Sequence, residues 1–215
     1  MGDINQYEFA RRHRDLFRGP VLEVGSKDYG NTQDLRSLLG IPEYVGIDME
    51  SGPGVDQVLD LTADFAEVDH AFGGRRFRTV FCLSVLEHVS NPFRMCDNIT
   101  RLLVEHEAVV YVSVPLVWEI HAFPSDYWRF TPEAVKLLFP ALAFPVDWSE
   151  MTTPRPSQTA PLTEQPALAW LDPSWRMKRG QPLYALRSLI ARLCVGTRKV
   201  FSRTMINMIA HNHED

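Results

Sequence analysis

The chain has 215 residues, 45% of them hydrophobic and 23% charged, with a net charge of −5. That suits one globular domain with a full core and a small appendage. No apolar run is long enough to span a bilayer, and the opening "MGDINQYEFARRHRDLF" has no apolar stretch of the signal-peptide kind, so a cytoplasmic protein is expected.

In chain order, "PVLEVGS" (20–26) is a short strand-like run, and "NTQDLRSLLG" (31–40) has helical spacing and a closing Gly40. "YVGIDM" (44–49) is again strand-like, "VLDLT" holds a third short apolar run, and "FRTVFCLSV" (77–85) predicts a strand buried on both faces. "SNPFRMCDNITRLL" (90–103) opens a helix with Ser90 or Asn91 as cap and Pro92 in its first turn. "AVVYVSVPL" (108–116) is a second buried strand, and "TPEAVKLLFP" (131–140) a short helix capped by Thr131. Strands alternating with helices predict a Rossmann-like, doubly wound, mostly parallel α/β sheet with helices on both faces, and ligands at the carboxyl ends of its strands.

Residues 1–150 are expected to form that domain. Residues 151–175 are rich in Pro, Thr, Ser and Gln and predict a long loop or lid. Residues 176–215 predict a basic, amphipathic, C-terminal helical appendage. Residues 1–172 carry a net −11 and residues 173–215 a net +6. Two placements are open for such a tail: an anionic membrane surface, or packing on the acidic body or on a second copy as a homodimer, with packing preferred. Gln6 stands where N-myristoylation prefers Ser or Thr. Cys82, Cys96 and Cys194 have neither metal spacing nor a disulfide framework.

The loop "LEVGSKDYGN" (22–31) poses the cofactor question. A dinucleotide site uses G-x-G-x-x-G, but here Lys27 stands at the second glycine and obstructs approach to a diphosphate. Glu23 repels an anion and suits a cationic ligand end. S-adenosylmethionine fits, since its amino group and sulfonium are positive and it carries no phosphate. Asp48 ends the second strand at about the ~20-residue separation at which a carboxylate meets ribose hydroxyls in nucleotide-binding folds. Asp60 is placed to accept from an adenine amine.

Together "VLEVGS", "YVGID", "VLDLTADF", "FRTVFCLSVLEHVSNPFRMCDNITRLL" and "VYVSVP" resemble the successive motifs of class I S-adenosylmethionine-dependent methyltransferases. "HAFPSDYWRFTPEAVKLLF" is similar to a type 11-like subgroup of small bacterial methyltransferase-domain proteins, some associated with surface-polysaccharide or secondary-metabolite genes. The resemblance covers roughly residues 18–145. The chain departs from it in a glycine-poor loop and in "VEHE" (104–107), where a Gly pair is usual. The resemblance implies that Glu23 and Gly25 face the methionine moiety, Asp48 the ribose, and Asp60 with Leu61 the adenine. Ser84 and Val85 would lie under the cofactor, with Ser26, Lys27 and Met49 completing the set.

Methyl transfer needs acceptor, methyl and sulfur held in line and dry, and a base for a hydroxyl or amine acceptor. His121 is the favoured general base, with Asp126 and His88 as further catalytic candidates. Trp118, Tyr127, Trp128 and Arg129, with Phe123 and Phe130, predict an aromatic acceptor pocket. No metal site is expected: His211 and His213 lack partners for one. An acidic body without a basic stripe argues against a nucleic-acid acceptor. The expected function is methyl transfer from S-adenosylmethionine, giving S-adenosylhomocysteine, to an oxygen or nitrogen of a small-molecule or saccharide acceptor. The alternatives are a catalytically silent cofactor-binding partner in a biosynthetic complex and a Rossmann-type NAD oxidoreductase.

Overall fold

Consecutive apolar residues suit a strand covered on both faces, and β1 (Val21–Val24) is buried throughout its length. It lies between β2 (Tyr44–Asp48) and β4 (Thr79–Leu83), parallel to both, with Glu23 opposite Gly46 on one side and Phe81 on the other. On the far side of β2, β3 (Gln57–Val58) extends the sheet, and β5 (Val109–Val117) extends it beyond β4, again in parallel. The computed structural model describes residues 4–30, 33–121, 125–152, 159–162, 168–169, 186, 190, 200–201 and 203–212.

Helices cover both faces, as expected. On one face α1 (Ile4–Arg12) and α2 (Leu35–Leu39) bring Phe9, Ala10 and Leu35 against Val21, Phe81 and Tyr111. On the other, α3 (Phe65–Ala71), α4 (Pro92–Arg101) and α5 (Pro132–Leu138) contribute Val68, Met95, Ile99, Val135 and Leu138 to a larger core with Leu22, Val80 and Val112. The helix ends follow from their sequences. Asp34 accepts the Ser37 N–H at 3.0 Å and Gly40 closes α2 at φ 63°. Asn91 accepts from Arg94 N at 3.2 Å before Pro92, and Thr131 from Ala134 N at 3.2 Å before Pro132.

The C-terminal part departs from expectation. After β6 (Leu142–Ala143), a hairpin of β7 (Ser149–Thr152) and β8 (Thr159–Pro161) occupies part of the stretch expected to be a loop from residue 151. Two short strands, β9 (Leu168–Ala169) and β10 (Val200–Phe201), pair with each other. Then β11 (Thr204–Asn212) runs antiparallel to β5 from Met205 opposite Pro115 to His211 opposite Val109. The sheet order is β3-β2-β1-β4-β5-β11-β7-β8, with β6 also on β11. So residues 204–212, expected in a helical appendage, form an inner strand buried from Thr204 to Ala210. The domain drawn at residues 1–150 is therefore not closed by residue 150. An uncovered β5 would leave a row of N–H and C=O groups without partners, and β11 supplies them. Leu186 and Ile190 are helical and exposed. Arg203, the basic residue of the tail among the described residues, ion-pairs with Glu119 of the body and lies over the Trp118 ring. Arg187, Arg192, Arg198 and Lys199 lie outside the described residues. No helix among the described residues is long and apolar enough to cross a membrane.

Candidate functional site

The carboxyl ends of β1, β2 and β4 converge on one cavity of about 960 Å³, at the upper end of the ~300–1,000 Å³ usual for small-molecule sites. At the end of β1 the chain turns through Gly25 at φ 72°, in the left-handed region. A Cβ there would sit 2.5 Å from Cγ2 of Val85, so both conformation and space demand glycine. The Gly25 and Ser26 N–H groups both donate to the Ile47 carbonyl, at 2.9 and 3.0 Å, which fastens the loop to β2. At the end of β2 the Asp48 carboxylate accepts from the backbone N–H of Glu50 at 3.1 Å and of Lys27 at 3.4 Å. Ser84, at the end of β4, is held at φ 53°, a region a non-glycine residue seldom enters. Its Oγ accepts a 2.8 Å hydrogen bond from the Gln6 amide, which also donates to Ser113 Oγ at 2.9 Å.

The Lys27 side chain folds back over β2. Its ammonium pairs with Glu50 at 2.6 Å and lies 5.3 Å from the Tyr29 ring, and the Glu50 contact raises its pKa. Among the described residues, Lys27 is the only Lys or Arg lining the cavity, against Asp48, Glu50 and Glu87. The rest of the wall near Asp48 is apolar: Ile47, Leu59, Leu61 and Met95. Asn98, buried on α4, donates to the carbonyls of Leu61 and Ala63 at 2.8 and 2.9 Å and so fixes that wall.

Opposite this wall, a 3₁₀ turn at Leu86–His88 follows β4, and the loop after β5 folds over it. Tyr127 N–H donates to the Glu87 carbonyl at 2.7 Å, and the Trp128 indole N–H to the Val89 carbonyl at 2.8 Å. Nδ1 of His88 lies 2.7 Å from the Ser125 carbonyl and Nδ1 of His121 3.1 Å from the Glu119 carbonyl. A carbonyl only accepts, so each ring carries a proton on Nδ1. Burial lowers the His88 pKa, in keeping with a neutral ring. Glu87 is 1% exposed, and burial pushes its carboxyl up to about 8.

Several residues named from the sequence line the cavity: Gly25, Lys27, Asp48, Met49, Leu61, Ser84, Val85, His88, Trp118 and His121. Others do not. Glu23 lies on the opposite face of β1, because side chains alternate along a strand; its Oε2 accepts from Tyr44 OH at 2.8 Å. Ser26 is buried behind the loop. Asp60 Oδ1 accepts from both N–H and O–H of Thr62, at 2.8 and 2.7 Å, and so shapes the turn. Asp126 is a brace: Arg129 grips it with both amino groups at 2.5 and 2.7 Å, and it accepts the His121 N–H at 2.9 Å. Arg129 also donates to the Glu119 carbonyl at 3.0 Å and is spent on holding the loop. Tyr127 and Trp128 are exposed outside the cavity, and Phe130 belongs to the core. Phe123 lies outside the described residues. Sequence reasoning missed Gln6, whose helix precedes all the motifs, Met205 on β11, and Glu87. The available signal for Glu87 was its place beside His88 in "LEHV" after a strand end.

No family model and no curated protein sequence matches the chain; the likeness is structural. An S-adenosylmethionine-dependent methyltransferase from Archaeoglobus fulgidus superposes with a TM-score of 0.55 at 16% identity, covering 97% of this chain and 94% of that one. The 1,6-didemethyltoxoflavin-N1-methyltransferase of Burkholderia thailandensis, with bound 1,6-didemethyltoxoflavin and S-adenosylhomocysteine, gives 0.53 at 12% identity, covering 99% and 80%. This chain has the class I S-adenosylmethionine-dependent methyltransferase fold. The [4+2]-cyclase SpnF shares that fold at a TM-score of 0.52 and 14% identity, covering 96% and 82%, so the reaction has to be argued from the site.

The methyltransferase fold's usual ligand fits what this cavity offers. A dinucleotide diphosphate would want a helix N-terminus beneath Gly25, but α2 begins only at Leu35 and lends no residue to the cavity. Lys27 is already paired with Glu50. The bare Gly25 turn, the Asp48 carboxylate and the apolar wall match an uncharged nucleoside.

Proposed function

We propose that this chain transfers a methyl group from S-adenosylmethionine to an oxygen or nitrogen of a small-molecule or saccharide acceptor, leaving S-adenosylhomocysteine. The observation that carries the reading is the charge of the cavity. Its one described cation, Lys27, is neutralised by Glu50, and the Asp48 carboxylate stands at the end of β2.

Bound there, S-adenosylmethionine supplies an electrophilic methyl on a sulfonium. Gly25 admits the ligand against bare backbone, Asp48 accepts from the ribose hydroxyls, and Leu59, Leu61 and Met95 cover the adenine. Ser84 and Val85 form the floor. His121, partly exposed on the acceptor side of the cavity, would take the acceptor's proton at Nε2. Asp126 and Arg129 serve as positioning residues that hold the His121 backbone. The Arg203–Glu119 pair favours packing of the basic tail on the acidic body over a membrane surface.

The test is incubation of the full chain with methyl-labelled S-adenosylmethionine and fractionated mixtures of hydroxylated metabolites and saccharides. Label transferred to a fraction, with matching S-adenosylhomocysteine, supports the reading. Absence of transfer to every fraction by a protein that binds the product tightly favours the catalytically silent partner instead.

A further inference from the structure

On the acceptor side of the cavity, Glu87, His88 and His121 each offer a ligand atom within 4.8 Å of the others. Three features distinguish this cluster from a chance meeting of polar groups. Oε2 of Glu87 is buried without a hydrogen-bond partner although the residue lines the cavity, and a buried carboxyl in that position stays neutral unless a cation answers its charge. Oε1 of Glu87 lies 3.9 Å from Nε2 of His88, too far for a hydrogen bond and a few tenths of an ångström beyond the ~3.3–3.6 Å between two tetrahedral ligands that each sit ~2.0–2.2 Å from one ion, so the two groups close slightly on a metal. The Nδ1–H of His88 is committed to a backbone carbonyl, and that of His121 lies between the Glu119 carbonyl and, at 3.3 Å, the Asp126 carboxylate, the outer-sphere arrangement that orients histidines on metals. The rings meet at 90° with centroids 4.9 Å apart.

We propose that Glu87, His88 and His121 bind one divalent transition-metal ion through a carboxylate oxygen and two imidazole nitrogens. Two imidazoles and one carboxylate suit zinc, cobalt, manganese or iron(II) rather than calcium or magnesium. Three protein ligands leave positions open toward the cavity. The second part rests on the methyl-transfer reading: the open positions take an oxygen of the acceptor and lower its proton affinity, which makes a hydroxylated acceptor the substrate class. With the metal bound, His121 is a ligand and no longer a base, and the acceptor's proton leaves to solvent.

The test uses the full-length protein, stripped with chelator and titrated with cobalt(II) by visible absorption, alongside calorimetry with S-adenosylhomocysteine. One cobalt per chain with visible bands is expected, with affinity at least ~10-fold weaker in His121→Ala and Glu87→Gln. His121 is partly exposed and Glu87→Gln keeps the side-chain shape, so melting temperatures near wild type verify folding. Wild type that binds S-adenosylhomocysteine but no cobalt, or cobalt binding that ignores both substitutions, overturns the metal site alone. Cobalt bound without any S-adenosylhomocysteine affinity supports the metal site and overturns the cofactor reading. Catechol, a bidentate oxygen donor, is expected to shift the bands; unshifted bands overturn the acceptor role.

Discussion

The His88 and His121 rings meet edge to face across the cavity, 4.9 Å between centroids, although 33 positions separate them in the chain. A chain of backbone contacts brings them together. His88 Nδ1 is held by Ser125, Tyr127 N–H by Glu87, and the Trp128 indole by Val89. The loop after β5 is thereby sewn onto the turn after β4, and its polar groups are spent on the sewing.

Gly25 tests the cofactor side. Gly25→Ala places a methyl 2.5 Å from Val85 Cγ2 at a backbone angle alanine resists. The expected result is at least a ~10-fold loss of S-adenosylhomocysteine affinity, about 1.4 kcal/mol, in calorimetry. Val85→Ala in the same chain should restore part of it by opening the space.

Asp48 faces the cavity with its carboxylate anchored by two backbone N–H groups. Asp48→Ala should weaken S-adenosylhomocysteine by roughly 2 kcal/mol, the scale of hydrogen bonds to a charged group, with little change in melting temperature. Asp60→Ala, which removes a turn contact outside the cavity, should alter stability more than affinity.

The Asp126–Arg129 pair governs acid stability. Arg129 holds the Asp126 carboxyl well below the usual carboxylate range. The folded state therefore binds that proton less readily than the unfolded chain does. The pair's contribution is complete above an unfolded pKa of about 3.9 and is lost as pH falls through the lower folded value. Arg129→Met should cost about 3 kcal/mol at pH 7, because the buried carboxylate is left without its partner. Denaturant titrations at pH 7 and pH 3 should show a smaller acid-induced loss in the variant than in wild type.

β11 is expected to be indispensable. Ile206 and Ile209 are fully buried on opposite faces of the sheet, and either one changed to Ala should cost about 2–5 kcal/mol by thermal or denaturant unfolding. A chain ending at residue 203 should fail to fold, whereas removal of an appendage would leave the domain intact.

These strands also mark where sequence reasoning ended. The parallel half was legible because its strands are continuous apolar runs and its helices carry their own caps at Asp34, Asn91 and Thr131. β11 was not. In "TMINMIAHN" the residues Met205, Ile206, Met208 and Ile209 match a helical face, and burial on both faces of the sheet removes the alternation that marks a strand. The β7–β8 hairpin is hidden in a Pro- and Thr-rich composition that resembles a loop. Within the site, Gly25 and Asp48 were readable from their positions at strand ends. Glu23 was misassigned to the cavity because its place in the motif outweighed the two-residue alternation that turns it toward Tyr44. Glu87 owes its burial to the turn packed around it, which no local pattern announces.

Calorimetric titration of the full chain with S-adenosylhomocysteine and, separately, with NAD tests the central claim most directly. One S-adenosylhomocysteine should bind per chain with a Kd of micromolar order or below, about −8 kcal/mol, and NAD should not bind. Binding of NAD without binding of S-adenosylhomocysteine would contradict the account.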